Sequence, residues 1–137
     1  MGSLTNYWEL EVLDELFGQS GIPAVATVYF ALSTTDFGEA GTGGTEPSGG
    51  SYARKAMDNN KTTWGTAASG AITNAAAITF ATATADWSSG AVLGYWAIFD
   101  AATNGNCLVY GSITTPKAIL NGDTASIAIG DCDITLT

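Results

Sequence analysis

From Asn6 to Phe17 the apolar residues Tyr7, Trp8, Leu10, Val12, Leu13, Leu16 and Phe17 recur at helical spacing, with Glu9, Glu11, Asp14 and Glu15 mainly on the other side. The pattern predicts one amphipathic helix. Asn6 is placed to cap it, with Glu9 three residues on in capping-box position, and Gly18, Gly21 and Pro23 stop it. The early acids favour the positive end of the helix dipole. Its apolar face can lie on the domain's own sheet or on a neighbour, and three turns leave both open.

Beyond Pro23 the periodicity changes to two. Residues 25–33, VATVYFALS, place Val28, Phe30 and Leu32 on one face and Val25, Thr27 and Tyr29 on the other. A short strand over 52–57 and another over 77–81 follow, the latter with Ile78 and Phe80 on one face. Residues 91–100, AVLGYWAIFD, read as the strongest core strand, Val92, Trp96 and Ile98 alternating with Leu93, Tyr95 and Phe99. Asn104-Gly105 then marks a tight hairpin into residues 107–113, because both positions accept positive φ. Asn121-Gly122-Asp123-Thr124 reads as the turn of a second hairpin between 117–120 and 125–129, and residues 133–136 close the chain with a last strand. Short strands at even spacing without βαβ alternation predict a mainly β fold. The expectation is an antiparallel β-sandwich or barrel with one N-terminal amphipathic helix, in a single domain over 1–137. Residues 1–21 form its helix and linker. The expected core is Val28, Phe30, Leu32, Phe80, Val92, Trp96, Ile98, Leu108, Ile127 and Ile129.

One stretch breaks this rhythm. Residues 33–51 are a Gly/Ser/Thr-rich loop with a single aromatic, Phe37, and a loop this long is uncommon in a compact domain unless it is functional or disordered. It leads through Tyr52 to Arg54-Lys55, the one adjacent pair of bases. As a docking arm, residues 34–51 would become ordered only on assembly. Arg54 and Lys55 would pair with acids on a partner, each exposed pair contributing roughly 0–1 kcal/mol. A solvated strand end explains the same two bases.

Composition sharpens the picture. Only 12% of residues are charged while 46% are hydrophobic, and the net charge is −9. So few charges point to surface buried against other subunits, and a surface of Gly, Ser, Thr and Ala explains the same balance. Four bases against thirteen acids leave no basic footprint for phosphates, which argues against nucleic acid. No apolar run is long enough for a membrane span, and the first residues lack the basic and apolar regions of a signal peptide. Cys107 and Cys132 read as free thiols.

The chain contains no histidine, so Ser-His-Asp and Cys-His catalysis and imidazole metal sites are excluded. Asp36, Glu39, Asp58, Asp86 and Asp100 belong to no recognisable carboxylate pair. The glycines of 38–50 do not form a phosphate-binding pattern, and Glu39 and Glu46 among them would repel phosphate. Asp123, Asp131 and Asp133 fall short of a calcium loop. Trp64 is the best placed of the aromatics for an exposed, sugar-stacking ring, although core or interface packing explains it as well. The expectation is a protein that is not an enzyme, with no cofactor and no metal.

Three segments carry a family resemblance: GGTEPSGGSYAR at 43–54, Ala85-Asp86-Trp87, and the stretch 108–117 with its YGSITTPK. Almost the whole chain resembles small structural proteins of tailed-bacteriophage virions, described as capsid decoration (cement), head-fibre or tail-fibre-like proteins. The resemblance brings no catalytic residue. It implies a virion protein, and composition then leans toward a cement protein on the outer head lattice. No extended repetitive shaft is visible, and low charge with small-residue loops suits burial on a capsid. The partners expected are the major capsid protein and other copies of the chain, as a homotrimer on the likeness to decoration proteins. The alternative is a tail-fibre-like or receptor- or carbohydrate-binding virion protein, located on the tail. Candidate interface residues are Trp8, Leu13 and Phe17 on the helix, Phe37 and Glu46 in the loop, Arg54 and Lys55 at its exit, and Tyr110 in a late strand.

Overall fold

A computed structural model describes residues 1–18, 21 and 25–136. Its strands are β1 (Gly2–Leu4), β2 (Thr27–Ser33), β3 (Lys55–Asp58), β4 (Ala71–Thr73), β5 (Ile78–Thr79), β6 (Val92–Phe99), β7 (Cys107–Ala118), β8 (Ser126–Ile127) and β9 (Asp133–Thr135). One helix, α1 (Asn6–Leu16), lies between β1 and β2. Seven strands form a curled, half-barrel-like sheet in the order β3-β2-β6-β7-β1-β9-β4, and β5 pairs with β8 apart from it. The pairing is antiparallel except where β1 runs parallel to β9 at Gly2 and Ile134. The protein is therefore mainly β with a single helix near the N-terminus, as the periodicities predict.

The inside of the curl holds the main core. Phe30 stacks on Trp96 with ring centroids 5.3 Å apart, and Phe80, Tyr52 and Trp87 pack edge-on or stacked around them. Two glycines permit this: Gly2 and Gly111 lie flat against the Trp96 indole, where any Cβ would collide with the ring. The opposite face of β2, β6 and β7 carries a smaller core of Ala31, Ala97, Phe99 and Cys107. The sheet is covered on both sides, which is why its central strands are apolar on both faces.

Several local expectations are corrected. β1, which precedes the helix, leaves no mark in the sequence because three residues carry no periodicity. Asn6 is the first helical residue, not the cap. Thr5 takes the cap position in extended backbone, and its hydroxyl donates to the Cys107 carbonyl, which stitches β1 to β7 and leaves the helix end without a side-chain cap. Glycine does end the helix, Gly18 having φ +78°, whereas Pro23 lies outside the described residues. The strand expected over 52–57 sits later, at β3.

In β6 the alternation slips. A register irregularity between Leu93 and Tyr95 turns Leu93 into the core with Trp96 and Ile98 and leaves Val92 55% exposed. Ile129, also expected in the core, is 65% exposed in the turn before β9, while Ile127 packs at the core's edge. The second hairpin does not form, because β8 pairs with β5. The first does: Asn104 and Gly105 have φ +55° and +74°.

Candidate interaction surfaces

The long loop is fastened to its own chain. Ser33, fully buried at the end of β2, accepts the Thr35 and Thr45 N–H groups at 3.1 and 2.8 Å and donates to the Thr35 carbonyl at 2.7 Å. Phe37 drops onto the outer core, edge-on to Phe99 at 5.7 Å, with Gly44 flat against its ring. The candidate contact residue Phe37 is only 3% exposed. It anchors the loop and has no surface left to offer a partner.

Glu46 and Arg54 are spent in the same way. The Arg54 guanidinium meets the Glu46 carboxylate at 2.6 Å, donates to the Ala101 and Asn104 carbonyls at 2.9 and 2.8 Å, and lies 3.5 Å over the Phe99 ring. Tyr52 completes the clasp: its hydroxyl donates to Glu46 at 2.9 Å and accepts the Leu32 N–H at 3.1 Å. Burial, and then the Glu46 charge, push the Tyr52 hydroxyl well above the ordinary phenol range. Arg54 thus ties the long loop at Glu46 to the turn after β6 and to the Phe99 ring. The loop expected to become ordered on assembly makes these contacts within its own chain. Lys55 alone of the basic pair stays exposed, on the edge strand β3.

Tyr110 is half-buried on the outer face of β7, opposite Ser3 of β1 and Ala97 of β6. Partial burial raises its hydroxyl pKa, and the negative charges of Glu39, Asp36 and Glu9 add to the shift. Trp64, the candidate sugar platform, is buried beside Asn74. Trp87 is buried too, its indole N–H donating to the Gly50 carbonyl at 2.9 Å, and Asp86 accepts the Asn121 N–H. Burial pushes both thiols, Cys107 and Cys132, up to about 12, which makes them poor nucleophiles at neutral pH.

The helix behaves in the opposite way to the loop. It has no buried residue, and Leu10, Leu13, Leu16 and Phe17 are 63%, 51%, 72% and 74% exposed. Only its first turn touches the core: Tyr7 and Trp8 are half-buried and stacked at 6.2 Å. Trp8 also forms one wall of an apolar cleft of about 470 Å³. The other walls include Trp64, Leu108, Ile72 and Ile134, and Lys61 is at the rim. Of the candidate residues the structure leaves Leu13, Phe17 and Lys55 exposed, places Trp8 in the cleft, leaves Glu46 and Tyr110 half-buried, and holds Phe37 and Arg54 in contacts within the chain. Sequence reasoning missed Leu10 and Leu16 as exposed, and missed the cleft altogether. One signal was available, since the heavily acidic helix ends in Leu16-Phe17 with no base in its last turn.

Among the described residues no group of three or more His, Cys, Asp or Glu could hold a metal ion, and no helix is long and apolar enough to cross a membrane. A family model described as Podophage GP4 fiber I protein gp80 matches residues 3–135. No curated protein matches the chain.

Proposed function

This chain belongs to the podophage GP4 fiber I protein gp80 family, and on that premise we propose that it is a fibre-type subunit of the phage particle that works by protein–protein contact. A phage virion structural protein is what the family establishes; the fibre assignment is the finer step. It takes the reading that stood second on composition, a fibre-like protein, above a capsid cement. Low charge and small-residue loops suit either, whereas the family description names a fiber.

The observation that carries the contact role is the exposed row Leu10, Leu13, Leu16 and Phe17, an apolar surface that a monomer would keep in water at a cost. We propose homo-oligomerisation through this row. A trimer has less behind it, since it rested on the likeness to decoration proteins, and contact with the major capsid protein belongs to the cement alternative. The proposal includes no catalytic step. Two of the acids weighed for hydrolysis serve as backbone acceptors: Asp100 takes the Asn106 N–H at 2.7 Å and Asp86 the Asn121 N–H at 2.8 Å.

Electron microscopy of intact virions labelled with gold-conjugated antibody to this chain tests the assignment. Label on fibres is expected. Label spread over the head lattice would replace the fibre reading with the cement one.

A further inference from the structure

Among the described residues the chain carries both an exposed apolar projection and an apolar recess. The projection is the end of α1, where Leu13, Leu16 and Phe17 are more than half exposed. The recess is the cleft of about 470 Å³ between Trp8, Trp64, Ile72 and Ile134. That volume lies within the range of pockets that enclose a ligand or a large side chain, roughly 300–1,000 Å³. We propose that the cleft receives the Phe17 end of the helix from a second copy of this chain, in a head-to-tail contact. The inference deepens the fibre reading, and rests on it only for the expectation that copies associate.

Charge selects this occupant. The helix carries Glu9, Glu11, Asp14 and Glu15 and no base, whereas the rim of the cleft carries Lys61, one of only four bases in the chain, beside Asn59 and Asn60. Acidic helix against basic rim is complementary. Two helices pairing through their apolar rows would instead bring together two acidic segments with no base between them, so no opposite charge would favour the contact. Nor does the chain's own Phe17 reach the recess by staying helical. It is nine residues beyond Trp8, about 13 Å along the axis at 1.5 Å per residue, and it points into solvent.

The geometry has a consequence for assembly. Donor and acceptor are different surfaces, so the contact is heterologous, and each added copy brings a fresh helix and a fresh cleft. Such contacts grow into rings or open filaments instead of closing as pairs.

Sedimentation of the purified chain over a concentration series, with two exposed-site variants, tests this. Phe17→Ser removes the projection and Lys61→Glu reverses the rim charge; far-UV spectra confirm that both keep the fold. The wild type is expected to form species larger than dimers. Phe17→Ser alone should weaken association more than about tenfold, as loss of a central aromatic anchor does, and Lys61→Glu alone should weaken it severalfold. Mixed together, the two variants should favour a 1:1 complex over the longer species that the wild type forms, because one supplies the intact cleft and the other the intact helix. Asp14→Lys added to Lys61→Glu should restore growth.

A wild type that stays monomeric throughout would overturn the inference, and so would association sensitive to Phe17→Ser but indifferent to Lys61→Glu, the mark of helix-to-helix pairing. Neither outcome touches the labelling of virions, which tests the fibre reading separately.

Discussion

The loop over 34–51 and the helix α1 exchange the roles their compositions suggest. The loop is almost all Gly, Ser, Thr and Glu, yet it is held at three points: the Ser33 hydroxyl, the Phe37 ring and the Glu46–Arg54 clasp. The helix is rich in Leu and aromatics, yet beyond its first turn the large apolar side chains stand in water. Small residues bring backbone close to backbone, so a loop of glycines and threonines can satisfy its own polar groups once a single aromatic fixes it. A short helix can bury only the stripe that its attachment points turn inward. Here those points, Thr5 on β7 and Trp8 in the cleft, leave the leucines outward. Apolar content therefore predicts burial poorly when one end of an element is already fixed by something else.

If the loop is fastened and the helix is not, substitutions should separate them widely. The largest effect is expected at Phe37. Phe37→Ala empties the outer core and should cost about 3–5 kcal/mol, read as a lower midpoint in denaturant titration. A cost below about 1 kcal/mol would mean that the loop is not packed as described.

Arg54→Met keeps bulk over Phe99 but leaves Glu46 with the Tyr52 hydroxyl and no cation, and two carbonyls without their donor. Partial exposure of Glu46 tempers the loss, so about 2–3 kcal/mol is expected in the same measurement. Pairing Arg54→Met with Glu46→Gln should cost less than the sum of the two single changes, because they share one interaction.

Each of the two cores holds one thiol, Cys132 in the main core and Cys107 in the outer one, and both give a pH signature. Burial raises Cys107 and Cys132 from an ordinary value near 9 to about 12. As pH climbs past about 9 the unfolded chain loses these protons while the folded chain keeps them, so stability falls with rising pH. Each thiol contributes about 1.4 kcal/mol per pH unit between the two values. Cys107→Ala and Cys132→Ala should each flatten that alkaline decline. At pH 8 neither thiol should react with iodoacetamide until the protein unfolds.

The smallest stability effect is expected on the helix. Leu13→Ser and Phe17→Ser should each change monomer stability by no more than about 0.5 kcal/mol, as substitutions at exposed positions do. A loss of 2 kcal/mol or more would mean that the row is buried within the chain, and the contrast with the loop would fail.

Where residues repeat, the sequence was sufficient. The helix, the Val28–Phe30–Leu32 face, the Trp96–Ile98 face and the Asn104-Gly105 turn were all legible, because periodicity and turn chemistry act within a few neighbouring residues. The lack of histidine restricts the available chemistry through composition alone. Tertiary structure decided the rest, each time through a contact distant in the chain. β7 shifted the β6 register at Gly94 and so exchanged Val92 for Leu93. β5 took β8 from the hairpin that its turn sequence suggested. Thr5, bound across more than a hundred residues to Cys107, displaced Asn6 from the cap. Arg54, placed for a partner by sequence, reached Glu46 and the turn after β6 instead. The side a helix turns to solvent is likewise set by what its ends are tied to. No periodicity along the chain encodes where those ties lie in space.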